Sequence, residues 1–286
     1  MARRAGETRA GDVGNALQDS AVRVAAPTAV RAAIAVRHLA KDYGAGGNAI
    51  AALRDIDFSV GEGEFLSIVG PSGCGKSTLL KILAGLMPAT SGEAQLNGTP
   101  IEGPRRDIGM VFQSPVLFPW RSVLDNALLP VDVQRLGREQ LLERAHALIA
   151  LVGLSGFEHR YPWELSGGMQ QRVALVRALI HDPALLLMDE PFGALDALTR
   201  EQISMDIQHL WMETRKTALH ITHSIPEAVL LADRVVVMGP RPGRIVEILE
   251  IDLPRPRRLD DLPPRFHEYS THIRSIFKSK GVLAMD

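Results

Sequence analysis

The stretch EFLSIVGPSGCGKSTLLKILAGL, residues 64–86, carries the strongest structural signal in the chain. An apolar run ends at Gly70, a glycine-rich loop follows, and after Lys76 the leucines recur at helical spacing. The loop GPSGCGKST (70–78) fits Gly-x-x-x-x-Gly-Lys-Ser/Thr, which between a strand and a helix indicates a phosphate-binding loop. Its backbone N–H groups and the helix start would point at an anion. We predict that Lys76 reaches the β- and γ-phosphates of a nucleotide and that Ser77 binds magnesium.

Cys74 lies inside this loop and is the only cysteine of the chain, so an internal disulfide is excluded. A single cysteine fits a reducing compartment. The thiol could be catalytic or a bystander. No supporting base is evident in the sequence, which favours the bystander.

A second motif, ALLLMDEP, contains two acidic residues and spans residues 184–191. Asp189 ends a wholly apolar run typical of a buried parallel strand, from where it could hold magnesium beside the loop. Glu190 could polarise a water in line with the γ-phosphate, although an Asp-Glu pair can also simply cap a turn. Two weaker candidates end other strands: Gln113 could reach magnesium or the attacking water, and His223 could bond a γ-phosphate or be structural.

The pattern along the chain predicts an α/β fold. Segments 34–43 and 53–60 alternate apolar and polar residues, with a glycine-rich loop between them. Residues 119–182 are mostly helical in pattern, and strands and helices then alternate from 184 to 239. Such alternation indicates a largely parallel sheet covered by helices.

Composition excludes several classes of protein. The chain has 286 residues, 46% of them apolar, so it can bury a sizeable core. A formal net charge of −1 offers no basic excess for nucleic acid. No apolar run is long enough to predict a membrane span, and the N-terminus lacks the apolar region of a secretory signal. Residues 1–31 are expected to be a disordered extension, and 253–286 a tail with an amphipathic segment at 266–279.

A further motif, LSGGMQQR (165–172), joins the phosphate loop, LLLMDEP, GALD (193–196) and ITHS (221–224). Together with Tyr43 and Gln113, this set resembles the ATP-binding subunit of an ABC transporter over roughly residues 34–250. The resemblance implies a P-loop NTPase core with a mixed, mostly parallel sheet. The resemblance also implies an N-terminal antiparallel β subdomain and an α-helical subdomain at about 115–170. The core and both subdomains would together form an ABC ATP-binding domain at 32–252.

The resemblance also implies roles in binding ATP and Mg²⁺ and in hydrolysis. Tyr43 would stack on adenine, Glu190 would be the general base and His223 the γ-phosphate switch. Gln113 and Asp189 would serve magnesium, with Gln113 also sensing a transmembrane partner. The residues that would cradle the triphosphate are Gly70, Pro71, Ser72, Gly73, Cys74, Gly75, Lys76, Ser77 and Thr78. Ser224 stands where many relatives carry an acid, and no effect on hydrolysis is expected from it.

One copy would leave the far side of the γ-phosphate open. In the family, the signature residues of a second copy close it, here Ser166, Gly167 and Gly168, while Asp196 lies in the loop that crosses the dimer seam. The resemblance therefore implies a head-to-tail homodimer with two nucleotides.

The segments between the motifs resemble the importer ATPases for nitrate, alkanesulfonate and taurine. The implied partners are transmembrane permease subunits and, indirectly, a periplasmic or secreted solute-binding protein. The implied location is the cytoplasmic face of the cell membrane, as a peripheral protein. Phe118, Pro119 and Trp120 are candidates for the permease contact, or else form an ordinary packed loop.

Other functions stay open at this point. A non-transport ABC ATPase of DNA repair or translation is one, although such proteins typically have two ATPase domains or a long coiled-coil insertion. An importer ATPase for another solute is a second. An exporter, or a P-loop switch without the signature, fits less well, because no membrane span is evident and LSGG is present.

Overall fold

The computed structural model describes residues 32–44, 49–193 and 195–282. The predicted disordered extension, residues 1–31, lies outside this range, as do residues 45–48 of the glycine-rich loop.

Among the described residues, six strands form the central sheet: β3 (Phe65–Val69), β6 (Ile108–Val111), β7 (Leu185–Asp189), β8 (Thr217–Thr222), β9 (Arg234–Met238) and β10 (Ile245–Glu250). Their order across the sheet is β10-β9-β3-β8-β7-β6. All neighbours run parallel except β9 and β10. Strands β3 and β8 are buried at every position, because both faces of the sheet are covered. The predicted mixed, mostly parallel sheet is confirmed.

A separate antiparallel sheet precedes and flanks this core. Its strands are β1 (Ala32–Tyr43), β2 (Ile50–Gly61), β4 (Ser91–Leu96) and β5 (Thr99–Pro100), in the order β2-β1-β4-β5. Tyr43 pairs with Ile50 at the end of the first hairpin. This places Tyr43 at the loop end of the sheet, as the alternating pattern of 34–43 and 53–60 predicts.

Eight α-helices occur in the described ranges. They are α1 (Lys76–Leu83), α2 (Val123–Ala127), α3 (Leu129–Gln134), α4 (Arg138–Leu151), α5 (Gly167–Leu179), α6 (Ala197–Thr214), α7 (Ile225–Leu231) and α8 (Pro264–Ser279). Helices α2 to α4 lie within the segment 115–170 expected to form the helical subdomain, and α5 begins inside it but runs on to Leu179. Buried Asn126 fixes the loop before it, because its side chain accepts from Phe118 N and donates to the carbonyls of Phe118, Arg121 and Ser122.

The predicted amphipathic segment of the tail is helix α8. It packs on α7 and buries Tyr269, Ile273 and Phe277 in the same apolar cluster as the helices of the core. Residues 253–282 therefore share the core of the preceding domain. No helix among the described residues is long and apolar enough to cross a membrane.

Candidate nucleotide site

The phosphate loop leaves the carboxyl end of β3 and enters α1 at Gly75. This glycine has φ 104°, a conformation that other residues rarely adopt, and a Cβ there would lie 2.7 Å from Leu53 Cδ2. Glycine is therefore required where the loop turns into the helix.

Lys76 is held inside the loop. Its side chain is only 5% exposed, and Nζ donates to the carbonyls of Gly70 at 2.8 Å and Pro71 at 3.0 Å. Nζ also lies 3.9 Å from Oε1 of Glu190. A buried ammonium ion at the mouth of a glycine-rich loop is placed to bind an anionic phosphate.

Ser77, Asp189 and Gln113 present oxygen atoms to the same cleft. Ser77 Oγ donates to Asp189 Oδ1 at 3.0 Å. Burial raises the pKa of Asp189, and the Ser77 hydrogen bond partly opposes that shift. A Cβ at Gly193 would lie 2.8 Å from Gln113 Nε2, so glycine there makes room for the amide. Hydroxyl, carboxylate and amide oxygens are hard ligands that suit Mg²⁺.

Glu190 stands directly after β7 in a left-handed conformation, with φ 44°. Its N–H donates to Ile221 O on β8 at 2.9 Å, and this bond holds the strained backbone in place. Glu190 Oε2 and His223 Nδ1 lie 3.2 Å apart, within hydrogen-bond distance. The two residues follow neighbouring parallel strands, so their side chains meet at one edge of the sheet. A carboxylate oriented in this way is suited to accept a proton.

Tyr43 borders the other end of the cleft. Its hydroxyl lies 3.0 Å from Thr78 Oγ1 and 3.3 Å from Met87 Sδ. Tyr43 is 37% exposed and lines the cleft, so part of its side chain is accessible to a ligand.

A single cleft of about 360 Å³ gathers most of the predicted residues. The predicted ones are Tyr43, Ser72, Gly73, Gly75, Lys76, Ser77, Thr78, Gln113, Asp189 and Glu190. Ala52 and Arg241 also line it and were not anticipated. The order of the elements could have indicated Arg241, because it follows β9 at the sheet edge from which the phosphate loop leaves.

The residues of the phosphate loop that do not line the cleft have other contacts. Gly70 and Pro71 offer carbonyls to Lys76 rather than lining the cleft. Cys74 is 1% exposed within an apolar cluster, and burial raises the pKa of its thiol. A neutral, enclosed thiol makes a poor nucleophile, as the bystander interpretation expects.

The signature residues and Asp196 stand apart from this cleft. Ser166 caps α5 by accepting from Met169 N, and Asp196 caps α6 by accepting from Thr199 N at 3.0 Å. A Cβ at Gly168 would lie 2.6 Å from Thr199 Cγ2, so the two helix starts are in close contact. None of Ser166, Gly167, Gly168 and Asp196 lines the cleft of its own chain.

Comparisons with known proteins show which family this chain is similar to. A sequence model of the family described as "ABC transporter" matches residues 53–193. An ABC transporter ATP-binding protein of Methanocaldococcus jannaschii is 48% identical over 245 residues, which cover 86% of this chain and 91% of that protein. The taurine import ATP-binding protein TauB of Escherichia coli is 48% identical over 220 residues, covering 77% of this chain and 85% of that protein.

Two solved structures share the fold. One is titled as the dimeric structure of a bacterial ABC transporter cassette, with a TM-score of 0.67, 34% identity, and coverage of 77% of this chain and 99% of that one. The other is titled as a post-hydrolysis state of the same cassette bound to ADP and Pi, with a TM-score of 0.65 and 32% identity. Because of this similarity, the chain belongs to the ATP-binding proteins of ABC transporters, in the branch that is similar to taurine importers, and it is an ABC-type ATPase.

Proposed function

We propose that this ATPase powers a membrane importer for a small anion such as taurine, an alkanesulfonate or nitrate. The observation that carries the ATPase part is the meeting of Lys76, Ser77, Asp189 and Glu190 in one cleft. The similarity to a protein named for taurine import supports the solute class.

The residues of the cleft divide the work of hydrolysis. Lys76 and the loop N–H groups bind the phosphates, and Tyr43 lies against the base. Ser77, Asp189 and Gln113 would hold Mg²⁺, which would neutralise phosphate charge. Glu190 accepts the proton of the attacking water, and His223 orients the Glu190 carboxylate while facing the γ-phosphate.

A second copy of the chain supplies what the cleft lacks. Ser166, Gly167 and Gly168 begin helix α5, where free N–H groups can face an anion. Since they do not line their own cleft, they serve the neighbour's in a head-to-tail homodimer, with Asp196 at the seam. The similar ABC transporter cassette was solved as a dimer in both structures, which supports a dimeric arrangement.

An apolar groove on the helical region is the proposed contact with the permease. It is lined by residues that include Phe112, Val116, Phe118, Leu129 and Val133. Val133 is 72% exposed and the neighbouring Trp120 is 69% exposed, stacked on Phe118 with ring centroids 5.0 Å apart. Such a cluster of exposed apolar groups is typical of a protein contact surface. We therefore propose that the subunit is peripheral at the cytoplasmic face of the membrane and that a solute-binding protein is joined to it only through the permease.

A test of the dimer uses Ser166→Arg. The variant should bind ATP as the wild type does, because Ser166 lies outside its own cleft, yet hydrolyse almost none. Ser155→Arg, in the exposed turn after α4, is a charge-matched control. Undiminished hydrolysis by Ser166→Arg would contradict the shared site.

The solute is tested by growth. A strain without the gene should fail on taurine, an alkanesulfonate or nitrate as sole sulfur or nitrogen source, and the wild-type gene should restore growth. Restoration by the Glu190→Gln gene would show that hydrolysis is not needed. Normal growth on all three compounds would favour an importer for another solute, and sensitivity to DNA damage instead would favour the non-transport alternative.

A further inference from the structure

The turn between β9 and β10 is hydrogen-bonded to β2 and packs against the phosphate loop. Gly243 N donates to Ala52 O at 2.8 Å, and Arg54 N donates to Gly243 O at 3.0 Å. A Cβ at Gly243 would lie 2.0 Å from Cys74 O, so only glycine permits this approach. The turn therefore has a fixed position beside the loop and β2.

Arg241 projects from this turn into the nucleotide cleft. Its Nε donates to Ala51 O at 3.1 Å, which fixes the plane of the guanidinium group. Its two terminal amino groups have no hydrogen-bond or ion-pair partner among the described residues. By contrast, Arg234 and Arg255 each pair with a carboxylate. A guanidinium group that is held in a cleft and has two free amino groups as donors is suited to bind an anion.

The position of Arg241 within the cleft indicates which part of a nucleotide it would meet. Ala51 follows Ile50, the strand partner of Tyr43, so the guanidinium lies at the Tyr43 end. The groups suited to the γ-phosphate, Glu190 and His223, come from β7 and β8 instead. Ser72 and Gly73 of the loop also line the cleft.

We propose that Arg241 binds the phosphate group nearest the adenosine, and so contributes equally to the affinity for ATP and ADP. The inference rests on the proposed nucleotide site. A charge-assisted, forked hydrogen bond in a partly solvated cleft should contribute about tenfold in affinity, or about 1.4 kcal/mol.

The test is calorimetric titration of the purified full chain with ATP and with ADP, each with Mg²⁺. Arg241→Ala should weaken both nucleotides by about tenfold and leave their affinity ratio unchanged. Arg241→Lys should fall between the wild type and alanine, since lysine keeps the charge but loses the fork. Arg244→Ala is the matched control: Arg244 is exposed in the same turn but does not line the cleft, and its loss should change affinity less than about twofold.

Several results would overturn the inference. Unchanged affinities in Arg241→Ala would remove Arg241 from the site. A loss confined to ATP would place the contact on the γ-phosphate, and an equal loss in Arg244→Ala would show a general charge effect. If Arg241→Ala does not fold, Arg241→Gln carries the test, with the thermal midpoint as its check. A wild-type chain that binds neither nucleotide would instead refute the nucleotide site itself.

Discussion

Glu190 illustrates how a single residue is prepared for chemistry. Its backbone adopts φ 44°, held by a hydrogen bond to β8, and its carboxylate lies between Lys76 and His223. Backbone strain of this kind persists only where the surrounding structure enforces it, and it is common at functional sites.

Glu190→Gln should keep ATP binding and lower the hydrolysis rate by about 100-fold or more, because glutamine cannot accept the proton. The ATP-bound dimer should then persist and be visible by size-exclusion chromatography. Glu158→Gln, a change remote from the cleft, is the control and should hydrolyse normally. A Glu190→Gln protein with full activity would assign the base to another residue.

His220 is a buried histidine within β8, three residues before His223. It packs on the rings of Phe65 and Phe192, and its Nδ1 lies 3.2 Å from Ser67 Oγ. Burial lowers the pKa of His220 to about 3, so the imidazole is neutral in the folded chain.

The folded pKa of His220 lies below its unfolded value, so its stability contribution is complete above pH 6.5 and is lost as the pH falls towards about 3. Between these pH values, protonation of His220 in the unfolded chain should lower the unfolding free energy by about 1.4 kcal/mol for each unit by which the pH falls. Urea unfolding between pH 6 and 4 measures the slope, which should be shallower in His220→Gln. His209→Gln, at an exposed site on α6, should keep the wild-type slope. Equal slopes in all three proteins would contradict the assignment.

The starts of α5 and α6 form one packed unit, which gives Gly168 a role besides any contact with a second copy. Thr199 lies against it and also holds the carboxylate of Asp196, the residue that caps α6, because Thr199 Oγ1 donates to Asp196 Oδ2 at 2.7 Å. The signature segment and the loop that carries Asp196 are therefore mechanically joined within one chain.

Gly168→Ala should destabilise the protein by about 1–3 kcal/mol, since the new methyl group overlaps Thr199 Cγ2. Adding Thr199→Ser removes that methyl group and keeps the hydroxyl that donates to Asp196, so most of the lost stability should be recovered. Gly98→Ala is a poor control because of its positive φ, whereas Gly103→Ala meets open space and should cost little. Chemical unfolding of the single and double variants checks the prediction, and no recovery in the double variant would contradict it.

The tail joins the molecule through a buried cation. Arg257 is 3% exposed, and its guanidinium donates to the carbonyls of Val229, Leu230 and Ala232 at the end of α7. Burial lowers the pKa of Arg257 to about 10, which still leaves the group charged at neutral pH. Arg257 thereby satisfies helix-end carbonyls that would otherwise be buried without donors.

Arg257→Met should lower the unfolding free energy by about 3–5 kcal/mol, because several buried carbonyls lose their donors. Arg258→Met changes the neighbouring exposed arginine, which pairs with Asp260 at the surface, and should cost less than about 1 kcal/mol. Urea denaturation compares the two. Equal stability of both variants would mean that the tail is not anchored through Arg257.

Local patterns in the sequence determined the phosphate loop, the order of strands and helices, and the existence of an α/β fold. These follow from short-range rules: glycine where a loop turns into a helix, apolar runs for buried strands, and leucines at helical spacing. The motifs LSGG, DEP and ITHS likewise indicate the family, although each consists of only a few residues.

Contacts between distant segments decided the rest. The approach of Glu190 to His223, the meeting of Arg241 and Tyr43 in one cleft, the packing of Gly168 on Thr199 and the contact of Arg257 with the end of α7 all join separate elements. None of these pairs has a local signature, because each depends on how the strands are ordered in the sheet and how closely the helix ends pack. Sequence periodicity records which face of an element is buried, while the tertiary structure alone determines what that face meets.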